Sequence, residues 1–163
     1  MLGSAETWLL QVVPESLHEL STPVLLDRVV NDGYGGAAWC ELQARVASFA
    51  LDDLTASLTD GSIVARCAAI GYRVRREYAL QREPIPNEIA SEAVTRGLAR
   101  LRDRILIPGS WDPARGRSFE EFFTLCCLGD VVNVYRVYLR KHVHETSFEA
   151  GQSGSEGRAQ IRP

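Results

Sequence analysis

Several motifs that identify common protein classes are missing from this chain of 163 residues. It has no phosphate-binding loop, no G-x-G-x-x-G dinucleotide motif, no H-E-x-x-H zinc motif and no G-x-S-x-G nucleophile turn. Its three histidines are scattered and its four cysteines form no C-x-x-C pair, so we expect neither a metal site nor a disulfide. These absences predict a protein that is not an enzyme and uses no cofactor.

Signals for membranes and secretion are also missing. We expect no run of apolar residues in the sequence to be long enough to cross a bilayer. The N-terminus lacks the positive region and the small-residue cleavage site of a secretory signal. We therefore expect a cytoplasmic protein that does not bind membranes.

Acidic residues outnumber basic ones by 21 to 18, and nearly all the basic residues are arginines. The formal net charge is −3, which argues against broad electrostatic binding of nucleic acid, although the distribution of charge matters more than its sum. Lys141 is the only lysine, so the other basic residues are arginines. The apolar share of 45% is ample for a core, and the length suits one domain, or one domain with tails.

The apolar residues that are present recur at helical spacing. We expect helices over 37–58, 63–70, 87–106 and 119–142 and a shorter one near 24–30, whereas 7–13 suits either a short helix or an extended packing arm. The stretch 72–83 begins with arginines interleaved with tyrosine and valine; its structure is ambiguous, and it could form a further helix. No stretch alternates strictly enough for a strand. The sequence thus predicts an all-α protein.

The stretch from Trp111 to His142 is the organising element. Asp112 and Pro113 open a turn, and Gly116 supplies permissive backbone. Ser118, followed three residues later by Glu121, is typical of a capping box at the start of a helix. A long aromatic and apolar helix with a basic end follows.

One face of this helix is polar. Gly129, Asn133, Arg136 and Arg140 are spaced four, three and four apart, so they align on a helix. Such a face could approach a DNA backbone and offer amide and guanidinium donors, or it could be an ordinary solvated face. Tyr135 and Tyr138 could stack on unpaired bases or belong to the core, and spacing leaves both alternatives open.

The turn Asp112-Pro113-Ala114-Arg115-Gly116, the pair Ser118-Phe119 and the aromatic helix with a basic end resemble region 2 of bacterial RNA polymerase sigma factors. The likeness is greatest to the extracytoplasmic-function type and its sigma-like relatives. The stretch 87–94 is similar to the segment of that family that binds the polymerase clamp. The resemblance covers roughly 37–142 and implies a helical bundle like region 2, with extra N-terminal helices.

The resemblance also implies partners and site residues. A sigma-like transcription initiation factor would bind core RNA polymerase and the non-template strand of the promoter −10 region. Polymerase binding would involve Glu88, Ser91, Glu92 and Arg96. DNA binding would involve Phe122, Asn133, Tyr135, Arg136, Arg140 and Lys141. The alternative is a helical interaction module or regulator that keeps the sigma fold without promoter recognition.

The expected organisation follows from the same comparison. Residues 1–36 would form an N-terminal helical extension, 37–144 the domain like sigma region 2, and 145–163 a disordered tail. We expect no counterpart of region 4 after His144. An anti-sigma protein or a separate subunit like region 4 would then be a further partner.

Overall fold

A computed structural model describes residues 16–153, with side chains through His142. All regular structure in these residues is helical, which confirms the predicted all-α class. The five α-helices are α1 (Thr22–Asn31), α2 (Gly36–Asp60), α3 (Ile63–Ala69), α4 (Ile85–Arg100) and α5 (Phe119–Ser153). The likeness to sigma region 2 in particular stays a prediction.

The predicted helices match the observed ones except at three places, one of which is the end of α5, at Ser153 and not near His142. The helix expected over 87–106 ends as α4 at Arg100, and Leu101–Leu106 forms a π-helical turn. The possible helix over 72–83 is wrong, because 72–77 has no regular structure and Tyr78–Gln81 is a short 3-10 helix. The stretch 7–13, expected to be a short helix or an extended arm, lies outside the described residues.

The domain boundaries also differ from the expected ones. The chain divides into two compact units, Met1–Gln43 and Ala44–Pro163, so the boundary lies within α2 and not between residues 36 and 37. The tail expected to be disordered from residue 145 is helical as far as Ser153, where α5 ends. Residues 154–163 lie outside the described part of the chain.

In the first unit, the apolar residues of α1 lie on one face, at the helical spacing that the sequence predicts. Leu25, Leu26 and Val29 are buried, and Pro23 occupies the first turn of α1, where a missing N–H costs nothing. The His18 ring lies 2.8 Å from a carboxylate oxygen of Glu41, measured from Nδ1 to Oε2. This contact ties the 3-10 turn Leu17–Glu19 to α2.

The predicted turn and capping box at the entrance to α5 are both present. The Ser118 backbone N–H donates to Glu121 Oε2 at 3.0 Å, and the Glu121 N–H donates to Ser118 Oγ at 3.1 Å. Gly116 has φ +75°, a conformation that favours glycine. The Trp111 ring packs edge-on against Phe119, with ring centroids 5.4 Å apart. This entrance therefore sets where α5 begins.

The second unit is organised by the antiparallel packing of α4 and α5. Gly97 faces Phe123 and Cys127, whereas Glu88, further back on α4, hydrogen-bonds Tyr138, further along α5. The fully or nearly fully buried residues of the two helices include Ile89, Ala90, Ala93, Val94, Phe119, Phe123, Cys127, Leu128, Val131, Val132 and Val134. The pair carries much of the hydrophobic core of this unit.

The apolar character of α5 also bears on membranes. Contrary to the expectation from the sequence, the stretch Phe119–His142 is long and apolar enough to cross a bilayer, with a mean hydropathy of 1.3 in its most apolar window. Half of that window is buried inside the protein. Core helices pass the same test, and packing against α4 accounts for this composition.

The four thiols differ in exposure, which predicts their reactivity. Cys40 and Cys126 are exposed, whereas Cys67 and Cys127 are buried. Burial raises the pKa of the Cys127 thiol to about 12, so this thiol stays protonated at neutral pH, and the thiolate is the reactive form. We expect a disulfide reagent to modify Cys40 rapidly in the native protein, Cys126 more slowly because burial also raises the pKa of its thiol, and all four thiols after denaturation. Rapid labelling of Cys67 or Cys127, measured by mass spectrometry, would contradict this assignment.

Candidate nucleic-acid interface

A shallow cleft between α4 and α5 brings several predicted site residues together. Its volume is about 420 Å³, and it is lined by Arg96, Asn133, Arg136, Val137, Leu139 and Arg140. Asn133, Arg136 and Arg140 are exposed, as expected for a polar face of α5. Three guanidinium groups and one amide therefore border one concave surface.

The residues predicted to bind polymerase lie beside this cleft. Glu92 and Arg96 form an ion pair across one turn of α4, and both side chains are about half exposed. Glu88 accepts a hydrogen bond from the Tyr138 hydroxyl at 3.0 Å, and Ser91 is half-buried. Arg96, a predicted polymerase contact, also lines the cleft that holds predicted DNA contacts. The two predicted sites, which the resemblance assigns to different partners, are therefore contiguous.

Tyr135 corrects one site prediction. Its side chain is buried, and its hydroxyl donates to the Arg75 carbonyl and accepts from the Glu77 N–H, both at 3.1 Å. Burial raises the pKa of Tyr135, which stays protonated and able to donate. The prediction that Tyr135 contacts DNA is wrong for this structure, because its ring has no free face for a base.

The two remaining predicted DNA contacts are accessible to different degrees. Phe122 is half-buried in the first turns of α5. Lys141 is exposed, and its ammonium lies 5.3 Å from the centroid of the Tyr138 ring. Burial raises the pKa of Tyr138, and the hydrogen bond to Glu88 acts in the same direction. Lys141 therefore adds to the basic end of the face, whereas Phe122 does not line the cleft.

Asp130 lies in the middle of α5 but does not oppose this basic face. It is 5% exposed and pairs with the guanidinium of Arg100 on α4. A buried carboxylate that is paired in this way is neutralised locally. The negative charge in the centre of the helix is therefore a packing feature that links α4 and α5.

The sequence did not assign the segment Tyr72–Tyr78, which the structure brings next to α5. Arg136 donates from its guanidinium to the Arg73 carbonyl at 3.2 Å, beside the two bonds from Tyr135. Tyr72 and Tyr78 are exposed, and so are the three arginines between them. The cluster of three arginines between two tyrosines was the available signal, but only tertiary contacts reveal that this segment lies against α5.

Two further findings concern metal binding and similarity to known proteins. Among the described residues, no group of three or more His, Cys, Asp or Glu side chains could hold a metal ion. Comparison of the chain with protein-family models, with curated proteins and with solved structures finds no match.

Proposed function

We propose that the protein is a bacterial, sigma-like transcription initiation factor that acts in the cytoplasm, binding core RNA polymerase and the opened −10 region of a promoter. The observation that carries this proposal is the cleft in which Asn133, Arg136 and Arg140 of α5 meet Arg96 of α4. The capped turn before α5, which carries the resemblance to region 2, leads directly into the same helix.

The chemistry of the cleft suits a nucleic-acid backbone. A guanidinium group presents five N–H donors in a rigid fork that matches phosphate oxygens. Arg136 uses part of this capacity on the Arg73 carbonyl, and Arg96 pairs with Glu92 in solvent, where such pairs are weak. Arg140 is exposed and lines the cleft without a carboxylate partner among its described contacts. The arginines therefore retain donors for a phosphate.

A second candidate function is that of a protein-interaction module that lacks promoter recognition. A cavity of about 470 Å³ bordered by α2, α3 and α5 favours it, because Phe49 and Ile70 are exposed at its rim. Leu125 and Leu128 also line this cavity, together with the ion-paired Asp53 and Arg66. Exposed apolar residues with a polar border are typical of surfaces that bind other proteins.

Arg140→Ala tests the contact with DNA. We expect the full-length variant to bind core polymerase normally but to bind pre-opened −10 DNA more weakly. The slope of log affinity against log salt should become shallower by about 0.7–0.9 for one lost phosphate contact. Arg140 is the best choice in the cleft, because Arg136→Ala would also release the Arg73 carbonyl. The measurement is fluorescence anisotropy of labelled DNA at several salt concentrations.

Arg104→Ala serves as the matched control, because Arg104 is exposed in the π-helical turn after α4 and does not line the cleft. It removes the same charge and should leave the salt dependence unchanged. If core polymerase is bound while Arg140→Ala behaves as the wild type, the interaction module is the better function. Failure of the wild-type protein to bind core polymerase would sink the sigma-like proposal.

A further inference from the structure

The segment Tyr72–Tyr78 displays aromatic rings and arginines outside the α4–α5 cleft. Tyr72 is 44% exposed and Tyr78 is 68% exposed. Arg73, Arg75 and Arg76 between them are exposed, whereas Val74 and Glu77 are half-buried. The segment therefore presents two exposed aromatic rings beside three cations.

The backbone of this segment is held in place from one side. The Tyr135 hydroxyl bonds the Arg75 carbonyl and the Glu77 N–H, and Arg136 bonds the Arg73 carbonyl. Three hydrogen bonds from two adjacent residues of α5 thus anchor the backbone of three residues. Because the backbone is ordered before any ligand arrives, less conformational entropy is lost on binding.

The side chains of the segment are arranged for a ligand with both negative charge and flat rings. The guanidinium carbon of Arg76 lies 5.0 Å from the centroid of the Tyr78 ring, so the two groups form a stacked pair. Arg75 is 3.8 Å from Glu77, a distant pair whose arginine side chain is 74% exposed. A phosphate could replace so weak a pair at little cost.

A shallow cavity adjoins the stacked pair. Its volume is about 520 Å³, and Arg76 forms part of its lining together with Asp60, Gly61, Ser62, Val64, Ala65 and Ala68. Arg76 also donates to the Asp60 carbonyl at 3.2 Å, which fixes its guanidinium at the edge of this cavity. The apolar Val64 and Ala68 side chains offer a surface for a flat ring beside a cation.

We propose that the segment Tyr72–Tyr78 is a second binding site, specific for single-stranded nucleic acid. Arg73, Arg75 and Arg76 bind the phosphates, and Tyr72 and Tyr78 stack on the bases. Stacking requires unpaired bases, since a duplex hides the ring faces that tyrosine would contact. This inference depends on the proposed function at one point only, namely that an opened promoter supplies the single strand.

A membrane surface fits the segment less well. Membrane-bound segments combine basic residues with apolar side chains that enter the lipid. The aliphatic residue among the three arginines, Val74, is half-buried in the protein. No aliphatic side chain between the two tyrosines is exposed.

The test uses the full-length protein and a labelled oligothymidine of about 16 nucleotides, at the upper end of known site sizes. We expect the wild type to bind it with an affinity that falls as salt rises. The triple variant Arg73→Gln, Arg75→Gln, Arg76→Gln should bind about tenfold or more weakly, with a salt slope shallower by about 2 units. Tyr78→Leu should weaken binding about fivefold or more, whereas Tyr78→Phe, which keeps the ring, should not.

Arg104→Gln is a control for the loss of a single exposed arginine, because Arg104 lies after the far end of α4, away from Tyr135 and Arg136. Circular dichroism checks that each variant is folded. Wild-type affinity in the triple variant, or binding to vesicles rich in phosphatidylserine but not to the oligonucleotide, overturns the inference. Loss of oligonucleotide binding in the triple variant supports it even if core polymerase is not bound, in which case only the sigma-like function fails.

Discussion

Replacement of Arg100 by methionine is expected to destabilise the protein by about 2–4 kcal/mol, because it leaves a buried carboxylate without its partner. The Asp130 side chain is 7% exposed, so water cannot solvate its charge once the arginine is gone. The Arg100 side chain is 49% exposed, so its own loss from the protein surface matters less. The pair also joins α4 to α5, the two helices that form much of the core. Urea denaturation followed by circular dichroism measures the free energy of unfolding.

Two further variants identify the cause of this loss. Arg96→Met removes an arginine from a pair that is half exposed on both sides, and it should cost less than about 1 kcal/mol. The double variant Arg100→Met, Asp130→Leu removes the buried charge as well, and it should be more stable than Arg100→Met alone. Equal losses for Arg96→Met and Arg100→Met would refute the importance of burial at Asp130.

Gly97→Ala is expected to destabilise the protein by about 1–3 kcal/mol through overpacking. A Cβ atom at this position would lie 2.5 Å from Cys127 Sγ and 3.2 Å from Phe123 Cζ. Both neighbours are fully buried, so neither can move aside freely. Alanine favours a helix interior over glycine by about 1 kcal/mol, and the net loss should appear despite this gain.

Gly129→Ala is the matched control for this prediction. Gly129 is also a helical glycine, but a Cβ there would have no atom within 4 Å. This substitution should therefore stabilise the protein by up to about 1 kcal/mol, the gain expected from helix propensity alone. Cys127→Ala should reduce the cost of Gly97→Ala, because it removes the sulfur atom that the new methyl group meets. The same sign of effect at Gly97 and Gly129 would disprove the close approach of α4 and α5.

Much of the candidate cleft was predictable, since helical spacing alone aligns Asn133, Arg136 and Arg140 on one face of α5. The same spacing could not decide whether Tyr135 or Tyr138 belongs to that face. Tyr135 is buried because the segment Tyr72–Tyr78 lies across it, and Tyr138 reaches Glu88 on α4. Both outcomes depend on residues about 50–60 positions away in the chain.

Local chemistry determined the elements of this protein. The turn, the Ser118–Glu121 capping box and the apolar periodicity define α5 from its own residues, because capping and amphipathicity act over a few positions. Tertiary structure alone decided which charges meet. Asp130 is neutralised by Arg100 inside the α4–α5 contact, and Arg96 joins Arg136 and Arg140 around one cleft. Such pairings arise only when two helices pack, since charge and burial at a site depend on neighbours that are distant in sequence.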